Sequence, residues 1–305
     1  YTRPSLPSAE RTRFSRLYAD GGGTDGYNRY PTDPNYDLFG RGNYTGKGLY
    51  RIGAFHRATG NAFPDNRILS HDFIEGAFAG CVTGGFYGID EFPRDFSAFS
   101  IRRLRWQRGD IQLAPYLKRR IKDRSGRRMR NPIAPIDKWH IFLNLFLPSV
   151  PVAKVVICAV ALLSSPLLLF AAFAPELIAA AASVRAIALG HKDAARYLLR
   201  TVSDIAFLPV TAAYALWTYI KTMYRMLVRR RLLEWRVFAQ AKGKLRFFPA
   251  AAAGAAFIGL NIWLNAGVAF YVLGALWLAA PLWNAYLSQS GRRPHKRDEA
   301  FEALL

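Results

Sequence analysis

The chain has 305 residues, with 42 Lys and Arg against 21 Asp and Glu, so its formal net charge at pH 7 is +21. Its mean hydropathy of +0.03 averages a polar first part with a long apolar region, so a soluble protein of uniform composition is excluded. Two cysteines, Cys81 and Cys158, provide neither a disulfide framework nor a zinc cluster.

The positive charge does not indicate nucleic acid, although a basic surface can bind a phosphate backbone. The Lys and Arg residues are concentrated beside apolar segments, as is typical of the cytoplasmic flanks of membrane spans. The basic clusters are Lys118–Arg130, Arg229–Arg246 and Arg292–Arg297. We therefore predict a lipid bilayer, and no nucleic acid, as a partner.

The polar first part of the chain is predicted to contain two regions. Residues 1 to about 37 are rich in turn residues and are expected to depend on a neighbour for folding. From Phe39 to Gln112, short apolar runs alternate with turns, which predicts mixed α/β structure. The chain starts at Tyr1 without a signal segment, so we expect it to be a piece of a longer polypeptide.

The apolar region predicts about four membrane helices. Val155–Phe173 is uncharged and long enough to cross about 30 Å of hydrocarbon. Phe247–Leu287 is too long for one span and is predicted to divide near Asn265. If all basic clusters face the cytoplasm, the first span needs a return partner. The alternatives are Ala174–Leu189 and Ile205–Ile220.

We favour the return through Ala174–Leu189, because the other choice leaves Lys192, Arg196 and Arg200 outside. On this interpretation Asp204–Leu227 is an amphipathic helix in the membrane interface.

A glycine-rich stretch, Gly40–Tyr50, is the first of three motifs that could carry chemistry. It is not a phosphate-binding Walker A loop, because position 41 is Arg and position 48 is Gly. It is either a tight surface turn or a loop whose backbone approaches phosphate or sugar hydroxyl groups. In the second case Lys47 is a candidate ligand-binding residue.

The second motif, Ile68–Gly76, places Asp72 and Glu75 three residues apart, hence on one face of a helix. One carboxylate can act as a general base while the other holds a neighbouring group. The alternative is a helix cap at Asp72 with Glu75 in capping-box register. His71 has no second His or Cys at ligand spacing, so we predict no metal site in this chain.

The third motif, Ile101–Gln112, places Trp106 among arginines. An aromatic ring can stack on a sugar while guanidinium groups bind pyrophosphate. The alternative is a solvated basic helix anchored by one tryptophan.

In this order, before a membrane region, the motifs resemble processive family-2-like or family-84 glycosyltransferases, which have a Thr-Glu-Asp-like base and a Gln-x-x-Arg-Trp motif. The chain is most similar in motif to the transferase domain of bacterial cyclic β-1,2-glucan synthases, from about Phe14 to Ser288. It departs at Arg102, where those enzymes have Gln. The residues that carry the resemblance are Thr45-Gly46-Lys47-Gly48, Leu69-Ser70-His71-Asp72, Glu75-Gly76, Arg105-Trp106, Arg108-Gly109-Asp110, Gln112 and Leu232-Leu233-Glu234-Trp235.

The resemblance implies a fold and a location. Residues 1–130 would be the acceptor-side half of a GT-A-like α/β domain. Residues 131–290 would form an all-α transmembrane bundle, and residues 291–305 a cytoplasmic tail or a linker to a further domain. The protein would be a multi-pass protein of the bacterial inner membrane with its catalytic side in the cytoplasm.

The resemblance also implies a reaction, the transfer of glucose from UDP-glucose to a growing β-glucan with inversion. Asp72 would be the catalytic base. Trp106 would stack on the acceptor, and Arg105 and Arg108 would line the diphosphate. The other residues implied in substrate binding are Lys47, Glu75, Asp110 and Gln112. Mg²⁺ or Mn²⁺ would be held by an Asp-x-Asp motif upstream in the same polypeptide, so we expect this chain alone to be inactive.

Two alternatives stay open. The same machinery could make another linkage, as in a cellulose-like or hyaluronan-like polymer. The chain could also be a membrane scaffold or transporter subunit, although few charges within the apolar region argue against transport.

Overall fold

The computed structural model describes residues 2–19, 34–42, 44, 46, 48–64, 67–69, 72–82, 88–191, 194–233 and 246–291. The helices, in chain order, are α1 Leu6–Glu10, α2 Arg13–Tyr18, α3 Pro34–Phe39, α4 Ile52–Thr59, α5 Asp72–Ala79, α6 Phe96–Gln112, α7 Pro135–Phe146, α8 Val150–Leu163, α9 Leu168–Ala188, α10 Ala194–Ala206, α11 Leu208–Val228, α12 Phe248–Leu264 and α13 Val268–Leu287. The strands are β1 Thr2–Pro4, β2 Gly88–Asp90, β3 Arg120–Lys122 and β4 Arg128–Arg130.

In the described part of the first 130 residues, helices are more abundant than strands. The proportion of strand is therefore lower than the predicted mixed α/β structure implied. Within the described ranges, the sheets are a parallel pair of β1 with β2 and an antiparallel pair of β3 with β4. The apolar run at Ile68–Phe78 becomes helical because Ile74 and Ala77 bury one face at a three-residue spacing. Short apolar runs of this kind fit strands and buried helices equally well.

The predicted span Val155–Phe173 is wrong. The first long apolar helix runs from Pro135 to Leu163, and the second is α9. Between them, residues 164–167 form a turn that contains Pro166, which lacks a backbone N–H and disfavours helical conformation in the residue before it. The favoured return segment, Ala174–Leu189, lies almost wholly in α9, which begins earlier than predicted.

Three described helical stretches are long and apolar enough to cross a membrane, namely Pro135–Leu163, α9 and α13. The helix α12 is apolar but has 17 residues. The predicted interfacial helix over Asp204–Leu227 is instead divided between α10 and α11, because Pro209 starts a new helix after Phe207.

The predicted division of the last apolar run near Asn265 is confirmed. Asn265 has φ 49° and Gly267 has φ 124°, conformations that end α12 and turn the chain into α13. The buried Asn261 side chain holds this turn, with its amide donating to the Gly267 carbonyl at 2.9 Å and accepting from the Gly267 N–H at 3.1 Å. Gly254 and Gly274 allow the two helices to approach closely, since a Cβ at Gly254 would lie 2.6 Å from the Gly274 carbonyl.

An apolar cluster fixes α5 in the polar part of the chain. Ile74 and Ala77 of α5 pack with Tyr116, Ile121 and Ile141, which belong to the stretch after α6, to β3 and to α7. The buried face of α5 therefore rests on the β3–β4 hairpin and on the first apolar helix. This packing determines where Asp72 and Glu75 are placed.

Candidate functional site

Asp72 is the first residue of α5, and Glu75 lies one turn further along the helix. Both side chains are half-buried. Negative groups in the first helical turn are stabilised by the helix dipole, so the local structure favours the ionised carboxylates. This position fits a structural role at the helix start and a general base equally well. The neighbours of Asp72 distinguish its surroundings from those of an exposed helix start.

The glycine-rich loop lies directly against Asp72. A Cβ built on Gly46, which has φ +89°, would lie 2.9 Å from Asp72 Oδ2. A Cβ on Gly76 would lie 2.6 Å from the Cβ of Tyr44. Glycine at both positions is therefore what lets the loop pack on α5. The close-approach alternative for the loop fits this geometry, and Lys47 lies outside the described residues.

Tyr44, Asp72, Glu75 and Arg105 form one electrostatic group, which we call the acid–arginine cluster. Partial burial raises the pKa of Tyr44, and the negative charges of Asp72 and Glu75 raise it further. Burial lowers the pKa of Arg105, while the attraction of Asp72 opposes that change. The structure thus brings together residues from all three sequence motifs, as a carboxylate pair with a cation and a phenol beside it.

Trp106 follows Arg105 on α6 but points about 100° away around the helix axis. The guanidinium carbon of Arg102 lies 5.2 Å from the centroid of the Trp106 ring. Arg102 is also 5.8 Å from the Phe92 ring centroid, so it lies between two aromatic rings. The position where related motifs have Gln is thus occupied by a cation that packs on the tryptophan. Sugar stacking on Trp106 stays a prediction.

Gln112 and Arg108 contact the chain after α11. The Gln112 amide donates to the Leu232 carbonyl at 3.0 Å and accepts from the Leu69 N–H at 2.6 Å. Arg108 donates to the same Leu232 carbonyl at 3.5 Å, a long contact. Gln112 is buried and links the approach to α5 with the segment after α11. The predicted substrate contacts of both residues stay untested, and Glu234 and Trp235 lie outside the described residues.

Asp110 lies on a different side of α6 from Arg105. Burial raises its pKa to about 7. Burial and then the charge of Asp110 raise the pKa of Tyr219 on α11, so the two side chains interact across the α6–α11 contact. Gln107 donates to the Ala215 carbonyl at 3.0 Å along the same contact. The structure therefore places Asp110 between two helices and apart from the acid–arginine cluster.

Sequence reasoning did not single out Tyr44 or Arg41. Arg41 donates to Asp137 Oδ2 at 3.0 Å and to the Ala77 carbonyl at 2.8 Å, tying the glycine-rich loop to α7 and α5. The signal for Tyr44 was present, since an aromatic residue between glycines often contacts a ligand or a neighbouring helix. Arg41 gave no such signal, because its partner Asp137 is distant in sequence. Within the described ranges, no group of three His, Cys, Asp or Glu side chains could hold a metal ion.

Comparison with known proteins gives the class of protein that the chain resembles. The chain is similar to the bacterial cyclic glucan synthases, which confirms the resemblance inferred from the three motifs. One such relative is the cyclic beta-(1,2)-glucan synthase NdvB of Rhizobium meliloti (strain 1021), which is 29% identical over 99% of this chain. The chain spans 12% of the length of that relative. No family model matches the chain.

Proposed function

We propose that this chain is the acceptor-side part of a membrane-bound, inverting glycosyltransferase that transfers glucose from UDP-glucose to a growing β-glucan, as in cyclic β-1,2-glucan synthesis. The observation that supports it is the packing of Asp72 against Gly46 and beside Arg105, in a chain similar to a cyclic β-1,2-glucan synthase. A carboxylate that only caps an exposed helix would need neither Gly46 nor Arg105 beside it.

The proposed architecture follows the same similarity. Residues 1–130 are assigned to a GT-A-like domain, residues 131–290 to the membrane region, and residues 291–305 to a cytoplasmic tail or linker. The polar part is assigned to the cytoplasmic side of the bacterial inner membrane. Trp139 and Phe142 support a membrane interface at α7, because their rings are exposed and stacked 5.5 Å apart where the first apolar helix begins.

In the proposed reaction, Asp72 takes the proton of the acceptor hydroxyl while that oxygen attacks the anomeric carbon of glucose. The bond from the anomeric carbon to the diphosphate breaks, UDP leaves and the configuration inverts. General-base catalysis of this kind contributes about 10²- to 10⁴-fold. Trp106 is proposed to stack on the acceptor, and Arg105 and Arg108 to line the diphosphate.

A divalent cation, Mg²⁺ or Mn²⁺, is proposed to be held by residues upstream of this chain in the same polypeptide. The described residues do not fit such an ion, because they contain no group of three side chains that could hold it. When bound, the cation would neutralise charge on the diphosphate. The steps assigned here to Asp72, Trp106 and the arginines do not pass through it.

The test compares Asp72→Asn with Asp37→Asn in membranes that contain the full-length protein and labelled UDP-glucose. Asp37 lies exposed on α3 and is a matched control. We expect Asp72→Asn to lower transfer about 10²- to 10⁴-fold, with UDP affinity unchanged, and Asp37→Asn to have no effect.

Retention of more than half of the activity by Asp72→Asn would remove Asp72 from the reaction. Linkage analysis of the product separates a β-1,2-glucan from a cellulose-like or hyaluronan-like polymer. Absence of any incorporation by the unaltered protein would favour the scaffold or transporter alternative.

A further inference from the structure

A second site lies on another side of the polar part, in a cleft between the β3–β4 hairpin and the C-terminal end of α11. Its volume is about 660 Å³, and its lining includes Pro64, Tyr116, Met226 and Leu232. This volume is within the range of about 300–1,000 Å³ that small-molecule sites occupy. No member of the acid–arginine cluster lines the cleft, although Gln112, which the resemblance implies in substrate binding, does.

The cleft is strongly basic. Seven of its lining residues are Lys or Arg, and none of the lining residues that the structure describes is acidic. Five of the seven belong to the hairpin and its approach, namely Lys118, Arg119, Arg120, Lys122 and Arg128. Within the described part of the chain, none of the seven forms an ion pair. Among the described residues, the cleft therefore concentrates positive charge without an internal counterion.

The hairpin that forms one wall places like charges opposite each other. Arg120 pairs with Arg130, and Lys122 pairs with Arg128, while Ile121 between them is buried. Like charges directly opposite on an antiparallel pair are destabilising, and an isolated two-stranded hairpin is marginally stable. An anion bound on this face would remove the repulsion.

The Asp123 carboxylate of this hairpin accepts hydrogen bonds from the residues of the hairpin turn. Asp123 Oδ1 accepts from the Ser125 hydroxyl at 2.7 Å and from the Arg127 N–H at 2.9 Å. Asp123 is buried and is not part of the cleft lining. The hairpin thus holds its acidic residue away from the basic face.

Tyr116 supplies a neutral donor in the same lining. Its side chain is buried, with 4% exposed, and its hydroxyl has no hydrogen-bond partner among the residues that the structure describes. Burial raises its pKa to about 12, so the hydroxyl keeps its proton at neutral pH. Buried polar groups are normally hydrogen-bonded, and an oxygen of a bound anion would satisfy this one.

We propose that this cleft binds a phosphate-bearing anion, either the headgroup of an anionic phospholipid or a free diphosphate. Guanidinium groups are suited to phosphate because they donate two parallel hydrogen bonds. The hairpin ends at Arg130, five positions before Pro135, where the first apolar helix begins. A headgroup in the adjacent leaflet is therefore within reach. The proposal does not rest on glucose transfer.

The test titrates the purified full-length protein in a neutral detergent with three probes and measures heat of binding. The probes are short-chain phosphatidylglycerol, short-chain phosphatidylcholine and inorganic pyrophosphate. Binding of phosphatidylglycerol but not pyrophosphate identifies a lipid headgroup, and the reverse identifies a free diphosphate. Binding of both supports a general phosphate site. Binding of neither, or of phosphatidylcholine equally with phosphatidylglycerol, overturns the proposal.

Two triple variants with the same change of charge locate the binding. Arg119→Gln/Arg120→Gln/Lys122→Gln removes cleft residues, and Arg57→Gln/Arg124→Gln/Arg127→Gln removes exposed basic residues outside the lining. We expect the first to weaken binding about tenfold or more and the second much less. Equal effects would overturn the proposal, since they would show attraction by overall charge alone.

A single variant provides a further readout if the first triple variant does not fold. Tyr116→Phe removes one hydroxyl and keeps the ring in its apolar cluster. We expect it to weaken binding of the same probe about fivefold, the value of one hydrogen bond. An unchanged affinity for Tyr116→Phe would contradict the placement of the anion beside this hydroxyl.

Discussion

The substitution Gly46→Ala tests whether the contact between the glycine-rich loop and Asp72 is needed for glucose transfer. Gly46 has φ +89°, a conformation that alanine adopts only at a cost. In addition, the new Cβ would lie 2.9 Å from Asp72 Oδ2 and 3.0 Å from Asp72 Cγ. The carboxylate or the loop must therefore move.

The structure gives the size of both effects. The left-handed conformation costs alanine about 1–2 kcal/mol relative to glycine. Ordinary van der Waals contact to a Cβ begins near 3.4 Å, so the required displacement is about half an ångström. A misplacement of about 1 Å at a reacting group can cost about 10²-fold, so we expect kcat to fall about 10- to 10²-fold.

Gly40→Ala is the matched control. Gly40 lies in the same loop with φ +63°, but its added Cβ would meet no atom within 4 Å. Both variants should lose thermal stability because both place alanine in the left-handed region, and Gly46→Ala should lose more because of its contact with Asp72. The assay measures kcat and KM for incorporation of labelled glucose by membranes with the full-length protein, and melting temperature in detergent.

The result that would refute the reasoning is a Gly46→Ala protein that keeps more than half of the kcat of the unaltered protein. Equal losses of kcat in both variants would also refute it. In that case loop conformation alone would matter, and the proximity of Gly46 to Asp72 would have no bearing on the reaction.

Three further predictions concern residues on other helices. Trp106→Ala should raise the KM for the acceptor several-fold while Trp106→Phe keeps part of the affinity, because stacking needs a ring face; equal damage by both, measured with acceptors of increasing length, would exclude stacking. Because burial raises the pKa of Asp110 to about 7, the folded state holds a proton that the unfolded state has lost above about pH 4. Stability should fall by up to about 1.4 kcal/mol per pH unit between pH 4 and 7, and Asp110→Asn should remove this slope in pH-dependent unfolding. Lys154 forms an ion pair with Glu176 between the first two apolar helices. Lys154→Met alone should lower stability by about 3–5 kcal/mol, and adding Glu176→Gln should restore most of it, as a double-mutant unfolding cycle would show.

Features that depend on a few consecutive residues, such as turns and glycine-rich loops, were predictable from the sequence. The last apolar run, too long for one span, was predicted to divide near Asn265-Ala266-Gly267, and the structure has the turn there. The glycine-rich loop allowed a close backbone approach, and the structure places Gly46 against a carboxylate. In both cases the information lay within a few consecutive residues.

Features that depend on distant partners were not predictable. Residues 155–173 contain no charged side chain, so a span was predicted across residues 164–167, where Pro166 and two serines break the helix. The resemblance implied Asp110 in substrate binding, but the sequence does not show which side of α6 is covered by α11. The short apolar runs before residue 112 carried no period that separates a strand from a buried helix.

Gln112 mechanically couples two parts of the chain that are distant in sequence. One amide group holds the backbone of Leu69, three residues before Asp72, and the backbone of Leu232 after α11. Both hydrogen bonds are made by the same Gln112 amide. A movement of either segment along α6 would therefore strain the hydrogen bond that Gln112 makes to the other segment. Because Gln112, Ile68 and Leu232 also line the basic cleft, an anion that displaces Leu232 would pull on the start of α5. Occupancy of the cleft would then be transmitted to Asp72 through the single side chain of Gln112.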